Sequence, residues 1–139
     1  MKNVLILEDE LFVSNLLRLV LQGYFVVSTT TAENALCKFI EYNRRFDLLI
    51  SDVTLPTSSG IQVASILRSA LPDLKIILTS GYPLSMWSEE NAFDLQRLGK
   101  DSVTLLMKPF SIQTLLSTVD ALIGPAEESE SVRQSGGAS

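Results

Sequence analysis

Four apolar runs in this chain end on residues equipped to handle a phosphoryl group and a metal ion. Val4-Leu5-Ile6-Leu7 leads into Glu8-Asp9, and Leu48-Leu49-Ile50-Ser51 leads into Asp52. Ile76-Ile77-Leu78 leads into Thr79-Ser80, and Val103-Thr104-Leu105-Leu106-Met107 leads into Lys108-Pro109-Phe110. If these runs are parallel strands, their carboxyl ends share one edge, where open α/β sheets hold their ligands. Three carboxylates, a hydroxyl and an ammonium then meet. Carboxylates a few ångströms apart repel one another, and a hard divalent cation such as Mg2+ relieves the repulsion. An Asp carboxylate is ionised at neutral pH and can attack phosphorus without a general base, giving an acyl phosphate. The chain has no histidine, so any phosphohistidine in such a transfer belongs to another protein.

Each residue also has a plainer use. Asp9 would serve as a helix cap, with Glu8 and Glu10 favouring the helix dipole. Asp52 would open a turn before Pro56, Thr79 would be a β-branched strand residue, and Lys108 a solvated strand end. It is their order and spacing together that carry the chemical reading.

The elements that must position them follow from apolar periodicity. Short, nearly continuous apolar runs read as strands buried on both faces. Val13, Leu16, Leu17 and Val20 have helical spacing, with Gly23 as a stop. A second strand at Phe25-Val26-Val27 precedes a helix from Thr31 through Ile40. A third helix is expected from Gly60 to Ala70, and a weaker fourth from Ser85 to Leu98. A fifth has Ser111 as its N-cap and Gly124-Pro125 as its stop. Strand and helix alternate five times. The predicted fold is α/β, a doubly wound five-stranded parallel sheet with helices on both faces. Residues 1–124 form one domain, and the polar stretch 125–139 is expected to be a disordered tail.

A net charge of −5 and scattered basic residues argue against a nucleic-acid face. No apolar stretch is long enough to span a membrane, and no leader is evident before the first strand, so a cytoplasmic location is expected. Cys37, among Leu36, Phe39 and Ile40, is expected to be a buried structural thiol.

Over residues 3–123 the chain resembles the receiver domains of two-component response regulators. The resemblance rests on Leu7-Glu8-Asp9-Glu10, on Asp52-Val53-Thr54-Leu55-Pro56 with Gly60, on Leu78-Thr79-Ser80-Gly81 and on Lys108-Pro109-Phe110. It implies a flavodoxin-like (βα)5 fold and Asp52 as phospho-acceptor. It also implies Mg2+ held directly by Asp9 and Asp52, by Glu8 through water, and by the Thr54 backbone carbonyl. Thr79 is then the switch hydroxyl, and Lys108 contacts the phosphoryl oxygens after a cis bond to Pro109. Leu105 stands where the family often has an aromatic switch residue. The implied partners are a sensor histidine kinase or phosphotransfer protein and a downstream protein target. That target meets the face formed by the fourth helix, fifth strand and fifth helix. The molecule is then a signalling switch rather than an enzyme, with at most self-catalysed phosphoryl acceptance and autodephosphorylation. It would be either a single-domain regulator or a receiver from a hybrid kinase. Two alternatives are a haloacid dehalogenase-type phosphohydrolase and a phosphorylation-independent interaction module. The first needs a second Asp two residues after the nucleophile, and Thr54 stands there.

Overall fold

Five strands and five helices alternate along the chain in the computed structural model, which describes residues 1–55 and 59–126. The strands are β1 (Asn3–Leu7), β2 (Phe25–Thr29), β3 (Leu48–Asp52), β4 (Lys75–Ser80) and β5 (Thr104–Met107). The helices are α1 (Leu11–Val20), α2 (Ala32–Glu41), α3 (Gly60–Ala70), α4 (Glu89–Leu98) and α5 (Ile112–Ile123). The sheet is parallel throughout, in the order β2-β1-β3-β4-β5. Pro56 and residues 127–139, most of the expected tail, lie outside the described residues.

Strand alternation divides the core into two layers. Leu5, Leu7, Leu49, Ile76 and Leu78 face Ala35 and Phe39 of α2, Ile61 and Leu67 of α3, and Leu95 of α4. Val4, Ile6, Leu48, Ile50 and Ile77 face Leu17 of α1 and Leu115 and Val119 of α5. Burial on both faces holds for β3 and for the apolar part of β1 and β4. It fails for β5, an edge strand whose Leu105 and Met107 are exposed.

Four helices are capped by a hydroxyl that accepts a backbone N–H: Thr31 from Asn34, Ser59 from Ile61, Ser88 from Asn91 and Ser111 from Thr114. The exception is α1. Its N-cap is Glu10, not Asp9, and the Glu10 side chain makes no capping bond.

Two expectations need correction. The fourth helix begins at Glu89 rather than Ser85, because Leu84–Met86 forms a separate 3-10 turn and Ser88 provides the cap. Cys37 is exposed rather than buried. In α2 the inward pair is Ala35 and Phe39, four residues apart, so Cys37 between them turns outward.

The start of α3 packs directly on the end of β3. A Cβ on Gly60 would collide with the Asp52 carbonyl oxygen and Ser51 Oγ. Gly60→Ala must therefore displace the backbone of the residue at the heart of the site. A loss of about 2–3 kcal/mol in denaturant unfolding is expected, and an unchanged midpoint would show that the contact relaxes freely.

Candidate functional site

Asp52 is the last residue of the central strand, with Thr79 as its register partner on β4. Both are nearly buried, 6% and 2% exposed. Strand geometry thus puts a carboxylate and a hydroxyl side by side at the carboxyl edge. The Thr54 N–H donates to Asp52 Oδ1 at 3.1 Å, while Lys108 Nζ donates to Oδ2 at 2.9 Å. Lys108 follows the last residue of β5, and its own N–H donates to the Ser80 carbonyl at 2.8 Å. The Lys108–Pro109 peptide is cis, as the resemblance implied.

Glu8 follows β1 and is 2% exposed. Its N–H donates to the Thr29 carbonyl at 3.0 Å, which continues the β1–β2 pairing past the strand end. The Lys108 ammonium lies 2.7 Å from Glu8 Oε1 and 3.6 Å from Glu10 Oε1. The approach to Glu8 Oε1 is an ion pair outside hydrogen-bond geometry, so this buried oxygen has no hydrogen-bond partner. Glu8 Oε2 accepts the Glu10 N–H at 3.1 Å.

Burial pushes the Glu8 carboxyl above the usual glutamate range, and the charge of Asp52 adds to the rise. Lys108 and the Glu10 N–H oppose it. For Lys108, burial works to lower the pKa, but the close carboxylates of Glu8 and Asp52 and their charge outweigh it, and the net shift is upward. The lysine therefore remains an ammonium.

Carboxylate oxygens of Glu8, Glu10 and Asp52 lie within 4.8 Å of one another. Asp9 is exposed at the turn and outside that group. Glu10 is a member of the group beyond the residues expected from the sequence. No sequence signal marks it, since its approach to Lys108 depends on backbone angles in the turn, where Glu10 is extended (φ −79°, ψ 113°). Thr54 is exposed next to Asp52. Leu105 sits away from the carboxylates, in a pocket of about 220 Å³ shared with Leu78, Tyr82, Leu84 and Trp87.

The acidic group fits a hard divalent cation. Its donors are all oxygens, the buried Glu8 Oε1 has no hydrogen-bond partner, and Lys108 is the one cation paired with the three carboxylates among the described residues. No described helix is long and apolar enough to cross a membrane.

Comparison with known proteins gives a consistent picture. Residues 4–120 match the family model described as the response regulator receiver domain. The sensor kinase CckA of Brucella abortus is 31% identical over 122 residues, covering 86% of this chain and 12% of CckA. The chain spans less than half the length of the first curated relatives it matches, from 12% to 49%. The chemotaxis protein CheY4 of Vibrio cholerae superposes with a TM-score of 0.74 at 27% identity, covering 88% of this chain and 99% of that one. The response regulator TrrA of Thermotoga maritima, solved with Mg2+-BeF, gives 0.71 at 30% identity, covering 88% and 100%. TrrA has also been solved in complex with the histidine kinase ThkA.

Proposed function

This chain belongs to the response regulator receiver domain family, and from that premise we propose that Asp52 accepts a phosphoryl group from the phosphohistidine of a kinase or phosphotransfer protein. One observation carries the proposal. A nearly buried carboxylate at the end of the central strand has one oxygen held by Lys108 at 2.9 Å and the other by the Thr54 N–H at 3.1 Å. That arrangement aims a nucleophile and sets a cation where phosphoryl charge arrives. The bond formed is Asp52 Oδ to phosphorus. The bond broken is phosphorus to the donor's imidazole nitrogen, which keeps the electron pair.

Asp52 would hold Mg2+ directly together with Asp9, whose exposed side chain lies outside the acidic group and would turn in to meet the ion. Glu8 would act through water, and the Thr54 backbone carbonyl would complete the protein's share. When bound, the ion neutralises charge on the transferring phosphoryl oxygens. The neighbouring TrrA structures, one with Mg2+-BeF and one with a histidine kinase, support both the ion and the donor class. Thr79, beside Asp52 in register, donates its hydroxyl to the new phosphoryl group. The phosphohydrolase alternative is not favoured, since Thr54 offers no second carboxylate.

The test is incubation with acetyl phosphate and Mg2+, borohydride reduction of the acyl phosphate, and peptide mass mapping. Homoserine at position 52 is the expected product. Its appearance at another aspartate, or nowhere, would sink the assignment.

The output is a change in the face formed by α4, β5 and α5. Thr79 leads into Ser80, whose hydroxyl accepts the Tyr82 N–H at 3.0 Å and donates to the Tyr82 carbonyl at 2.9 Å. The same carbonyl accepts Trp87 Nε1–H at 3.2 Å. Movement of Thr79 toward a phosphoryl group thus pulls on a short hydrogen-bonded loop that ends at the only tryptophan. Trp87 fluorescence should change when beryllofluoride and Mg2+ are added, and Thr79→Ala should remove most of the change. Full retention in Thr79→Ala would place the coupling elsewhere.

A further inference from the structure

Glu10 belongs to the acidic group at the site but has no ligand or acceptor role in the proposed function, and its position calls for one. It is the N-cap of α1, but its carboxylate makes no capping bond, whereas the caps of the other four α-helices do. That carboxylate turns instead toward the acceptor. Oε1 lies 3.6 Å from the Lys108 ammonium, and Glu10 joins Glu8 and Asp52 in the group of carboxylates within 4.8 Å. Glu8 is almost fully buried, and its Oε1 lies 2.7 Å from the same ammonium. Glu10 differs from both in being 62% exposed. It also borders a pocket of about 370 Å³ between α1 and the β5–α5 loop, lined by Phe12, Leu16, Gly81 and Phe110. Glu8 and Asp52 line the floor of the site, and Glu10 stands at its mouth.

We propose that Glu10 is a specificity-determining residue of the acceptor site, disfavouring free dianionic phosphodonors relative to donors of lower net charge. The inference rests on Asp52 being the acceptor. Lys108 holds Asp52 at 2.9 Å and lies 3.6 Å from Glu10, so a phosphoryl group that meets this ammonium comes close to the Glu10 carboxylate. There the Glu10 charge repels phosphoryl oxygens and competes with them for the ammonium. Because Glu10 is largely in water, the effect is modest and screened by salt. With acetyl phosphate the Asp52 oxygen bonds to phosphorus, the bond to the acetyl oxygen breaks, and acetate leaves with the electron pair. With phosphoramidate the phosphorus–nitrogen bond breaks and ammonia leaves, and the donor's own ammonium offsets part of its negative charge beforehand.

The test compares the full chain with Glu10→Gln at saturating Mg2+, following phosphorylation by intact mass with each donor. The variant should react about 3–10-fold faster with acetyl phosphate at low ionic strength. The gain should be smaller with phosphoramidate, and should narrow as salt is raised. Equal or slower reaction of Glu10→Gln with acetyl phosphate would overturn the proposal, as would an equal gain with both donors. If the parent chain is labelled by neither donor, the acceptor assignment itself falls. A labelled parent with an unaltered variant removes only the role of Glu10.

Discussion

Replacing Asp52 with Asn is expected to abolish acyl phosphate formation completely while leaving the fold intact and, without divalent ions, no less stable. The amide cannot act as the nucleophile, so the chemical loss is total rather than graded. Its structural effects nearly cancel. Asn Oδ1 still accepts the Thr54 N–H, as Asp52 does at 3.1 Å. Its NH2 group then faces the Lys108 ammonium, donor against donor, and that contact of 2.9 Å is lost. Lys108 keeps Glu8 at 2.7 Å. Against this, the Asp52 charge that helps raise the Glu8 carboxyl is gone. Thermal unfolding in EDTA should therefore give a stability level with the parent or up to about 1 kcal/mol higher. Mass spectrometry after acetyl phosphate and Mg2+ checks the first part. A stoichiometric acyl phosphate on the Asn variant would exclude position 52 as acceptor. A loss of several kcal/mol would mean that Lys108 depends on Asp52 more than on Glu8.

The fold was legible because its central strands are written as uninterrupted apolar runs. Leu48, Leu49 and Ile50 must be buried whichever way they point, and a strand covered on both faces is the short element that achieves this. The end strand β5 has an equally apolar sequence but exposes Leu105 and Met107, and apolarity alone cannot tell an edge from a centre. Helix α4 was legible as a helix but not at its start, since Ser85 and Ser88 are both hydroxyl residues suited to capping. Only the intervening 3-10 turn decides between them.

At the site, the meeting of Asp52 with Lys108, 56 residues apart, followed from strand ends alone. Which acidic residue of Glu8-Asp9-Glu10 joins them did not. That depends on backbone angles in the turn, which bring Glu10 toward the lysine and leave Asp9 exposed. The exposure of Cys37 was missed for a similar reason. Three apolar neighbours suggested burial, but the helical phase of α2 decides which side faces the core.

Lys108→Met should have the largest effect on stability, and its size should depend on pH and metal. Lys108 pairs with Glu8 and Asp52, whose side chains are 2% and 8% exposed. Removing one partner of a buried pair typically costs about 3–5 kcal/mol, because it leaves an uncompensated charge. Here the damage is limited, since Glu8 is already raised by burial and can take up a proton. A loss of about 2–4 kcal/mol at neutral pH is expected, which is about 7–15 °C in melting temperature for a chain of this size. A carboxyl with a raised folded-state pKa contributes stability that is present below the ordinary glutamate value. That contribution is lost as pH rises through the raised value. The deficit of the variant should therefore be small in mild acid and grow across that interval, with the parent showing the same trend more weakly. Mg2+ bound at the folded site would supply positive charge in place of the lysine, so millimolar Mg2+ should stabilise the variant more than the parent. Phosphorylation should stay slow, by about a hundredfold, because the cation facing the phosphoryl oxygens is gone. Melting curves in EDTA and in Mg2+ across a pH series decide the matter. If the variant matches the parent at every pH, the buried carboxylates do not need Lys108, and the electrostatic account of this site fails.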